Sequence, residues 1–125
     1  MTLLLDTRVF LWWLDDPRKL SAAARQAVGN GRNTVFISAV VIWEIVIKKS
    51  LGKLKAPADL DRVIAANQFV PLPVTIAHVL ALEKLAEHHR DPFDRLLIAQ
   101  AFEEGLTFVT RDEHAARYRI PHILA

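Results

Sequence analysis

The chain has 125 residues, of which 52% are hydrophobic, which is enough to bury the core of one ordinary domain spanning residues 1–125. It has no cysteine, which excludes disulfides, thiolate metal sites and a cysteine nucleophile and favours the cytoplasm. Sixteen basic and fourteen acidic residues give a net charge of +2, too small by itself to indicate nucleic-acid binding. No signal peptide and no apolar run of about 20 residues is recognisable, so we expect a soluble protein without membrane spans.

The first thirty residues predict one strand followed by two helices. Residues 3–5 form a short apolar run that ends at Asp6, and residues 9–14 have helical character up to the break at Asp16-Pro17. Ser21 is a good N-cap for an alanine-rich helix over residues 22–28, and the glycines of Gly29-Asn30-Gly31 are expected to end it.

The middle of the chain repeats the alternation of strand and helix. Residues 35–37 predict a second buried strand, and Ser38 is the N-cap of a helix over residues 39–51 that stops near Gly52. Residues 59–69 are predicted to be helical. Two prolines limit residues 70–74 to a short strand or a strand edge, after which Thr75 caps an amphipathic helix that runs to about Glu87.

The last third of the chain contains one long helix and one clear strand. Asp91-Pro92 opens a helix over residues 93–104 that Gly105 ends, and residues 106–110 resemble a strand. A short helix is expected from Asp112, and Pro121 prevents a long final element. Short apolar strands that alternate with helices predict the α/β class, with a parallel sheet covered by helices on both faces.

Two acidic residues follow predicted strands directly. Asp6 comes straight after Leu3-Leu4-Leu5, and Asp112 lies two residues beyond Phe108-Val109-Thr110. Sites in parallel α/β sheets form beyond the carboxyl ends of the strands, at the point where the strand order reverses. The two acids are therefore expected to lie near each other, although each is also a reasonable N-cap for the helix that follows it.

Glu44 is the most informative single residue, because the helix around it is apolar on almost every side. Such a helix is expected to be buried, and a buried carboxylate is costly unless a partner compensates its charge. Lys48, four residues further along, is the simple alternative to a functional partner, because it would form an ordinary ion pair.

Asp91 and Asp94 lie at the start of one predicted helix. Asp91, Pro92, Phe93 and Asp94 fit the N-cap, N1, N2 and N3 positions, where acidic groups interact favourably with the helix dipole. Capping explains Asp91 completely. It does not account fully for Asp94, because the apolar run that follows takes this helix into the core and places its first turn near the strand ends.

Four carboxylates that meet at strand ends repel one another unless a cation lies between them. At about 5 Å and an effective dielectric constant near 20, each pair costs roughly 3 kcal/mol. A site of oxygen ligands without His or Cys suits Mg²⁺ or Mn²⁺, and such an ion supports hydrolysis of a phosphodiester. Asp6, Glu44, Asp94 and Asp112 therefore predict a divalent metal site.

The motifs at these acids resemble the PIN-domain family, and most closely the VapC-like toxins of type II toxin–antitoxin pairs. The matching segments follow the family's order along nearly the whole chain: Leu3-Leu4-Leu5-Asp6-Thr7, Ile37-Ser38-Ala39 through Trp43-Glu44-Ile45, Asp91 through Ala101, and Thr110-Arg111-Asp112. The long block around Asp94 makes the combination fairly specific.

The resemblance implies a three-layer α/β/α fold with a short, mainly parallel sheet and a Mg²⁺- or Mn²⁺-dependent endoribonuclease. It also implies an RNA substrate, a cognate VapB-like antitoxin and a homodimer. By position, Asp6, Glu44, Asp94 and Asp112 are the catalytic and metal-binding acids. Thr7, Asp91, Arg95 and Thr110 are the supporting residues, and Arg95 either meets phosphate or braces a carboxylate.

Two other classes of protein compete with a nuclease. A receiver-like phosphoacceptor domain also places acids at strand ends, but here no acidic pair ends the first strand and Thr110-Arg111-Asp112 follows the last predicted strand, where that class expects a lysine. The other alternative is a non-catalytic α/β interaction module whose acids only cap helices. Adding Mn²⁺ while measuring thermal stability separates these readings.

Overall fold

The computed structural model describes residues 1–85 and 91–125. Its strands are β1 (Thr2–Leu5), β2 (Thr34–Ser38), β3 (Val70–Leu72), β4 (Thr107–Thr110) and β5 (His122–Leu124). Its α-helices are α1 (Thr7–Asp15), α2 (Ala22–Gly29), α3 (Ala39–Ser50), α4 (Leu60–Ala66), α5 (Ile76–Ala81) and α6 (Pro92–Glu104). Three 3₁₀ turns cover Pro17–Lys19, Leu82–Lys84 and Glu113–Tyr118.

The five strands form one parallel sheet in the order β3-β2-β1-β4-β5. β1 lies at its centre, where Leu3, Leu4 and Leu5 are completely buried, as expected for a parallel strand covered on both faces. From β1, the strands β2 and β3 are added on one side and the strands β4 and β5 on the other. The strand order therefore reverses between β1 and β4. The predicted α/β fold with a parallel sheet flanked by helices is confirmed.

Predicted caps define most helix starts. Ser21 accepts a hydrogen bond from the Ala24 N–H at 3.1 Å, and Ser38 accepts one from the Val40 N–H at 3.0 Å. Thr75 forms a capping box in which His78 takes the usual place of an acidic or amide residue. Gly105 ends α6 in the left-handed conformation, at φ 65°, where a residue with a Cβ would be strained.

Two predicted helix ends were wrong in detail. Gly29 belongs to α2, and neither it nor Gly31 has a positive φ; the side chain of Asn33 instead donates to the Ala27 carbonyl at 2.8 Å. The α-helix α5 stops at Ala81, because the Leu82 N–H bonds the Val79 carbonyl three residues back, which is 3₁₀ geometry. The predicted end near Glu87 lies outside the described residues.

The structure also corrects the burial of α3 and adds a strand. Only one side of α3 is buried, while Trp43 and Val46 are 54% and 58% exposed, so the expectation of a fully buried helix was wrong. The unpredicted strand β5 follows Pro121, whose carbonyl accepts from the Phe108 N–H at 2.9 Å. No helix in the described part of the chain is long and apolar enough to cross a membrane.

Candidate functional site

One cleft of about 370 Å³ lies at the carboxyl ends of β1 and β4, at the reversal of the sheet. This acidic cleft brings together all four acids singled out from the sequence, together with one helix cap, one hydroxyl and three cations. Its lining residues are Asp6, Thr7, Arg8, Glu44, Lys48, Asp91, Asp94, Arg111 and Asp112. Four segments that are distant in the sequence thus line one shared pocket.

Asp6 is the buried end of the central strand and also the N-cap of α1. Its Oδ1 accepts from the Val9 N–H at 2.7 Å, and its Oδ2 accepts from the Thr110 hydroxyl at 2.6 Å and from the Arg111 N–H at 3.2 Å. Burial raises the pKa of Asp6 above its ordinary value, although the hydrogen bond from Thr110 opposes that shift. Capping and site placement therefore coexist at this residue.

Glu44 is buried, at 6% exposure, and both of its carboxylate oxygens have partners. The Thr7 hydroxyl donates to Oε1 at 2.5 Å, and the Lys48 ammonium pairs with Oε2. The hydrogen bond between Lys48 and Glu44, together with the negative charges of Glu44, Asp91 and Asp94, raises the pKa of Lys48. The ion pair that the sequence left open as an alternative is therefore present, and it lies inside the acidic cleft.

Asp91 and Asp112 hold the ends of the elements around the cleft. Asp91 Oδ1 accepts from the Phe93 N–H at 2.9 Å and from the Asp94 N–H at 3.4 Å, as the predicted N-cap of α6. Asp112 accepts from the N–H and the ring Nδ1 of His114, both at 2.9 Å. Asp94 lies in the first turn of α6, on the lining of the cleft.

The supporting residues fall into two groups. Thr7 and Thr110 each donate a hydroxyl hydrogen bond to one of the buried acids, which is the kind of support expected of them. Arg95 does not line the cleft: its guanidinium donates to the Leu82 carbonyl at 3.4 Å and to the Tyr118 hydroxyl at 3.5 Å. Its described contacts therefore give no support to a part in binding phosphate.

Arg8 and Arg111 are cleft residues that the sequence reasoning missed. Each follows a predicted strand end and lies within two positions of Asp6 or Asp112, so the rule that placed these acids at one edge also places the arginines there. They add positive charge to the mouth of a pocket whose acids alone would repel a polyanion.

The chemistry of the donors suits a hard divalent cation, because every anionic group in the cleft is a carboxylate. Within residues 1–85 and 91–125, however, no group of three or more His, Asp or Glu side chains is arranged to hold a metal ion. Glu44 is engaged by Lys48 and Thr7, and Asp112 by His114. An ion would therefore have to replace Lys48 as the counter-charge of Glu44.

The chain belongs to the PIN domain family, because residues 3–121 match the model of that family, described as "PIN domain". A curated relative, Ribonuclease VapC22 of Mycobacterium tuberculosis (strain ATCC 25618 / H37Rv), is 29% identical over 124 residues, which cover 96% of this chain and 94% of that protein.

Solved structures agree with this fold. A chain in the crystal structure of VapBC2 from Rickettsia felis, bound to a DNA fragment from its promoter, has a TM-score of 0.72 at 17% identity and covers 100% of this chain and 99% of that chain. A chain of DNA-bound VapBC from Salmonella typhimurium has a TM-score of 0.71 at 16% identity, with 98% and 97% covered. At such identities the likeness shows the shared fold.

Proposed function

We propose that this chain is a Mg²⁺- or Mn²⁺-dependent endoribonuclease and the toxin of a type II toxin–antitoxin pair. The observation that carries the proposal is the acidic cleft, in which Asp6, Glu44, Asp94 and Asp112 meet at the reversal of a PIN-domain sheet. The curated relative named a ribonuclease supports RNA as the substrate. Solved neighbours of the same fold occur in VapBC complexes, which supports a VapB-like antitoxin as the partner.

In this mechanism the four acids would hold the ion once it replaced Lys48 at Glu44, while Thr110 and Thr7 fix the orientation of two buried carboxylates, Asp6 and Glu44. A bound divalent ion lowers the pKa of water and stabilises negative charge on a phosphate. One carboxylate takes a proton from the attacking water, the new bond forms to phosphorus, and the bond to the leaving ribose oxygen breaks as that oxygen takes up a proton from solvent water. No covalent intermediate with the protein is needed.

Asp94→Asn tests the metal site and the activity together. We expect Mn²⁺ to raise the Tm of the wild-type protein, and we expect the variant to lose both this shift and RNA cleavage while it still folds. Asp61→Asn is the matched control, because Asp61 is an exposed acid on α4 away from the cleft. An equal Mn²⁺ shift in the Asp94 variant would refute its place in the metal site.

RNA cleavage is measured with a labelled transcript incubated with Mg²⁺, with EDTA as the metal-free control. A wild-type protein that binds Mn²⁺ but leaves RNA intact would favour the non-catalytic interaction module. Adding a cognate VapB-like antitoxin should abolish cleavage. Mapping of RNA ends after induction in cells then identifies the target.

A homodimer is the expected assembly of the toxin. Large apolar side chains are exposed on α5, among them Ile76 at 79% and Leu80 at 56%. Burial of these side chains against a second chain would favour association. Sedimentation equilibrium should give twice the chain mass of 14.1 kDa. A species of single-chain mass at all accessible concentrations would contradict this expectation.

A further inference from the structure

A second cleft, of about 280 Å³, adjoins the acidic cleft and shares four of its lining residues, Thr7, Arg8, Glu44 and Lys48. The rest of its lining comes from α1 and from the segment after α3, as Leu11, Trp12, Lys53 and Leu54. We call it the flanking cleft. Because it opens beside the acids, a polymer whose reacting group lies in the acidic cleft would have its neighbouring unit here.

The wall formed by Trp12 is an aromatic ring with two guanidinium groups close to it. The guanidinium carbons of Arg8 and Arg111 lie 5.9 Å and 5.3 Å from the centroid of the Trp12 ring, within the range of cation–π contacts. Both arginines also line the acidic cleft. Aromatic rings and guanidinium planes are the surfaces on which unpaired bases stack.

The part of the lining that follows α3 is held in place by the turn that ends this helix. Gly52 turns the chain at φ 70°, its N–H bonds the Lys49 carbonyl at 3.0 Å, and the Lys53 N–H bonds the Lys48 carbonyl at 2.8 Å. This turn fixes an exposed ammonium group and the half-buried Leu54 on the lining of the flanking cleft.

The charge of the flanking cleft is positive. Arg8, Lys48 and Lys53 supply three cations, whereas Glu44 is the single acid among its lining residues and is engaged by Thr7 and Lys48. An aromatic surface beside two exposed cations matches a base and its phosphate, and a polyanion fits this charge better than a protein segment does.

We propose that the flanking cleft binds the nucleotide next to the scissile phosphate, with its base against Trp12 and Leu54 and its phosphate between Arg8 and Lys53. The inference rests on the proposed ribonuclease function and deepens it. It makes Trp12 a residue that favours unpaired RNA, because the base must leave a helix to reach the ring. Lys53 contributes charge without any preference for a base.

Binding without cleavage tests this assignment. The probes are a fluorescein-labelled RNA octanucleotide of mixed sequence and an abasic ribose-phosphate oligomer of the same length, both measured by anisotropy in EDTA. Trp12→Leu should weaken RNA binding at least about fivefold and leave the abasic oligomer unaffected. Lys53→Gln should weaken both probes and lower the slope of log affinity against log salt by about 0.7.

Three matched variants complete the experiment. Trp43→Leu removes an exposed tryptophan from α3, and Arg32→Gln removes an exposed cation at the amino end of the sheet; both should bind like the wild type. Trp12→Phe keeps an aromatic surface and should restore most of the RNA affinity. It also guards against misfolding of Trp12→Leu, because Trp12 packs partly against the core.

Equal losses for both probes in Trp12→Leu, or a Lys53→Gln variant that binds like Arg32→Gln, would overturn the assignment. It is also overturned if the Trp12 and Lys53 variants bind RNA normally but no longer bind the antitoxin, since the cleft would then be a protein contact. Metal-dependent cleavage that is the same in all variants overturns the flanking cleft alone. An absence of RNA cleavage in the wild-type protein overturns the proposed function itself.

Discussion

Single residues around the acidic cleft have structural and chemical roles at the same time. Asp6 caps α1 and ends β1, yet its burial raises its pKa, so its charge is held at a cost in free energy. Glu44 instead has the Thr7 hydroxyl and the Lys48 ammonium as partners. The two buried carboxylates therefore differ in their partners in the metal-free protein, and each difference predicts a measurable effect.

Replacing Asp6 by Asn should change the pH dependence of stability in the metal-free protein. In the folded protein Asp6 keeps its proton to a higher pH than in the unfolded chain, where its pKa has the ordinary value of 3.8. The folded state then binds more protons, so this group lowers the free energy of unfolding as pH rises above that value. The stability of Asp6→Asn relative to the wild type should rise over this range, as measured by urea unfolding in EDTA.

The prediction concerns how the stability difference between Asp6→Asn and the wild type changes with pH, because any hydrogen bond that Asn fails to make costs the same at every pH. Asp61→Asn, on the exposed side of α4, controls for a general loss of negative charge. A difference between Asp6→Asn and the wild type that falls, or stays constant, from pH 4 to pH 7 would contradict a raised pKa.

Lys48→Met should strengthen metal binding, because the ammonium that an ion must displace is gone. We expect Mn²⁺ to bind about three- to tenfold more tightly, and the metal-free fold to lose at most about 1 kcal/mol, since Lys48 is partly exposed. Lys49→Met removes the same charge one position along, from an exposed site. Calorimetric titrations that give equal affinities for the two variants would show that Lys48 does not compete with the ion.

At the scale of elements, caps and buried polar contacts fix the helices that carry the acids. Gln100 of α6 is fully buried and accepts from the Ser38 hydroxyl, the N-cap of α3, at 2.5 Å. Its amide donates to the Pro73 carbonyl at 3.2 Å and lies 3.3 Å from the His78 ring, whose other nitrogen meets Glu104. This chain of contacts ties α3, α5 and α6 together behind the cleft.

Gln100→Leu should therefore cost about 2 kcal/mol of stability, because it removes the partners of several buried polar groups. Gln26→Leu, at an exposed position on α2, is the control and should change stability by less than about 0.5 kcal/mol. Chemical denaturation measures both. A Gln100 variant as stable as this control would mean that the buried contacts contribute little.

Two substitutions of Asp91 separate the contribution of its helix cap from the contribution of its negative charge. Asp91→Ala should lower stability by about 1 kcal/mol, whereas Asp91→Ser keeps an oxygen that accepts the same N–H groups and should lose only a few tenths. If capping is its whole contribution, Asp91→Ser should also retain Mn²⁺ binding and RNA cleavage. Loss of metal affinity in a stable Asp91→Ser variant would assign this carboxylate to the metal site.

At the scale of the molecule, local patterns predicted the parallel sheet, most helix caps and the meeting of the four acids, because these follow from short-range order and strand direction. They missed β5, since three residues after a proline become a strand only by pairing with β4. They also missed the contact of Arg111 with Trp12, which joins segments about a hundred positions apart. The single domain, the homodimer and the metal site stay predictions.

The hydrogen bond from Thr110 to Asp6 joins residues 104 positions apart. During synthesis the central strand leaves the ribosome first, whereas β4, its neighbour on one side, is among the last strands to emerge. Nascent chains therefore carry Asp6 without the Thr110 hydroxyl and the Arg111 N–H that bind its Oδ2, and pairings of such long range form slowly. The acidic cleft is therefore complete only when translation is nearly finished, so any activity that depends on it is absent from the growing chain.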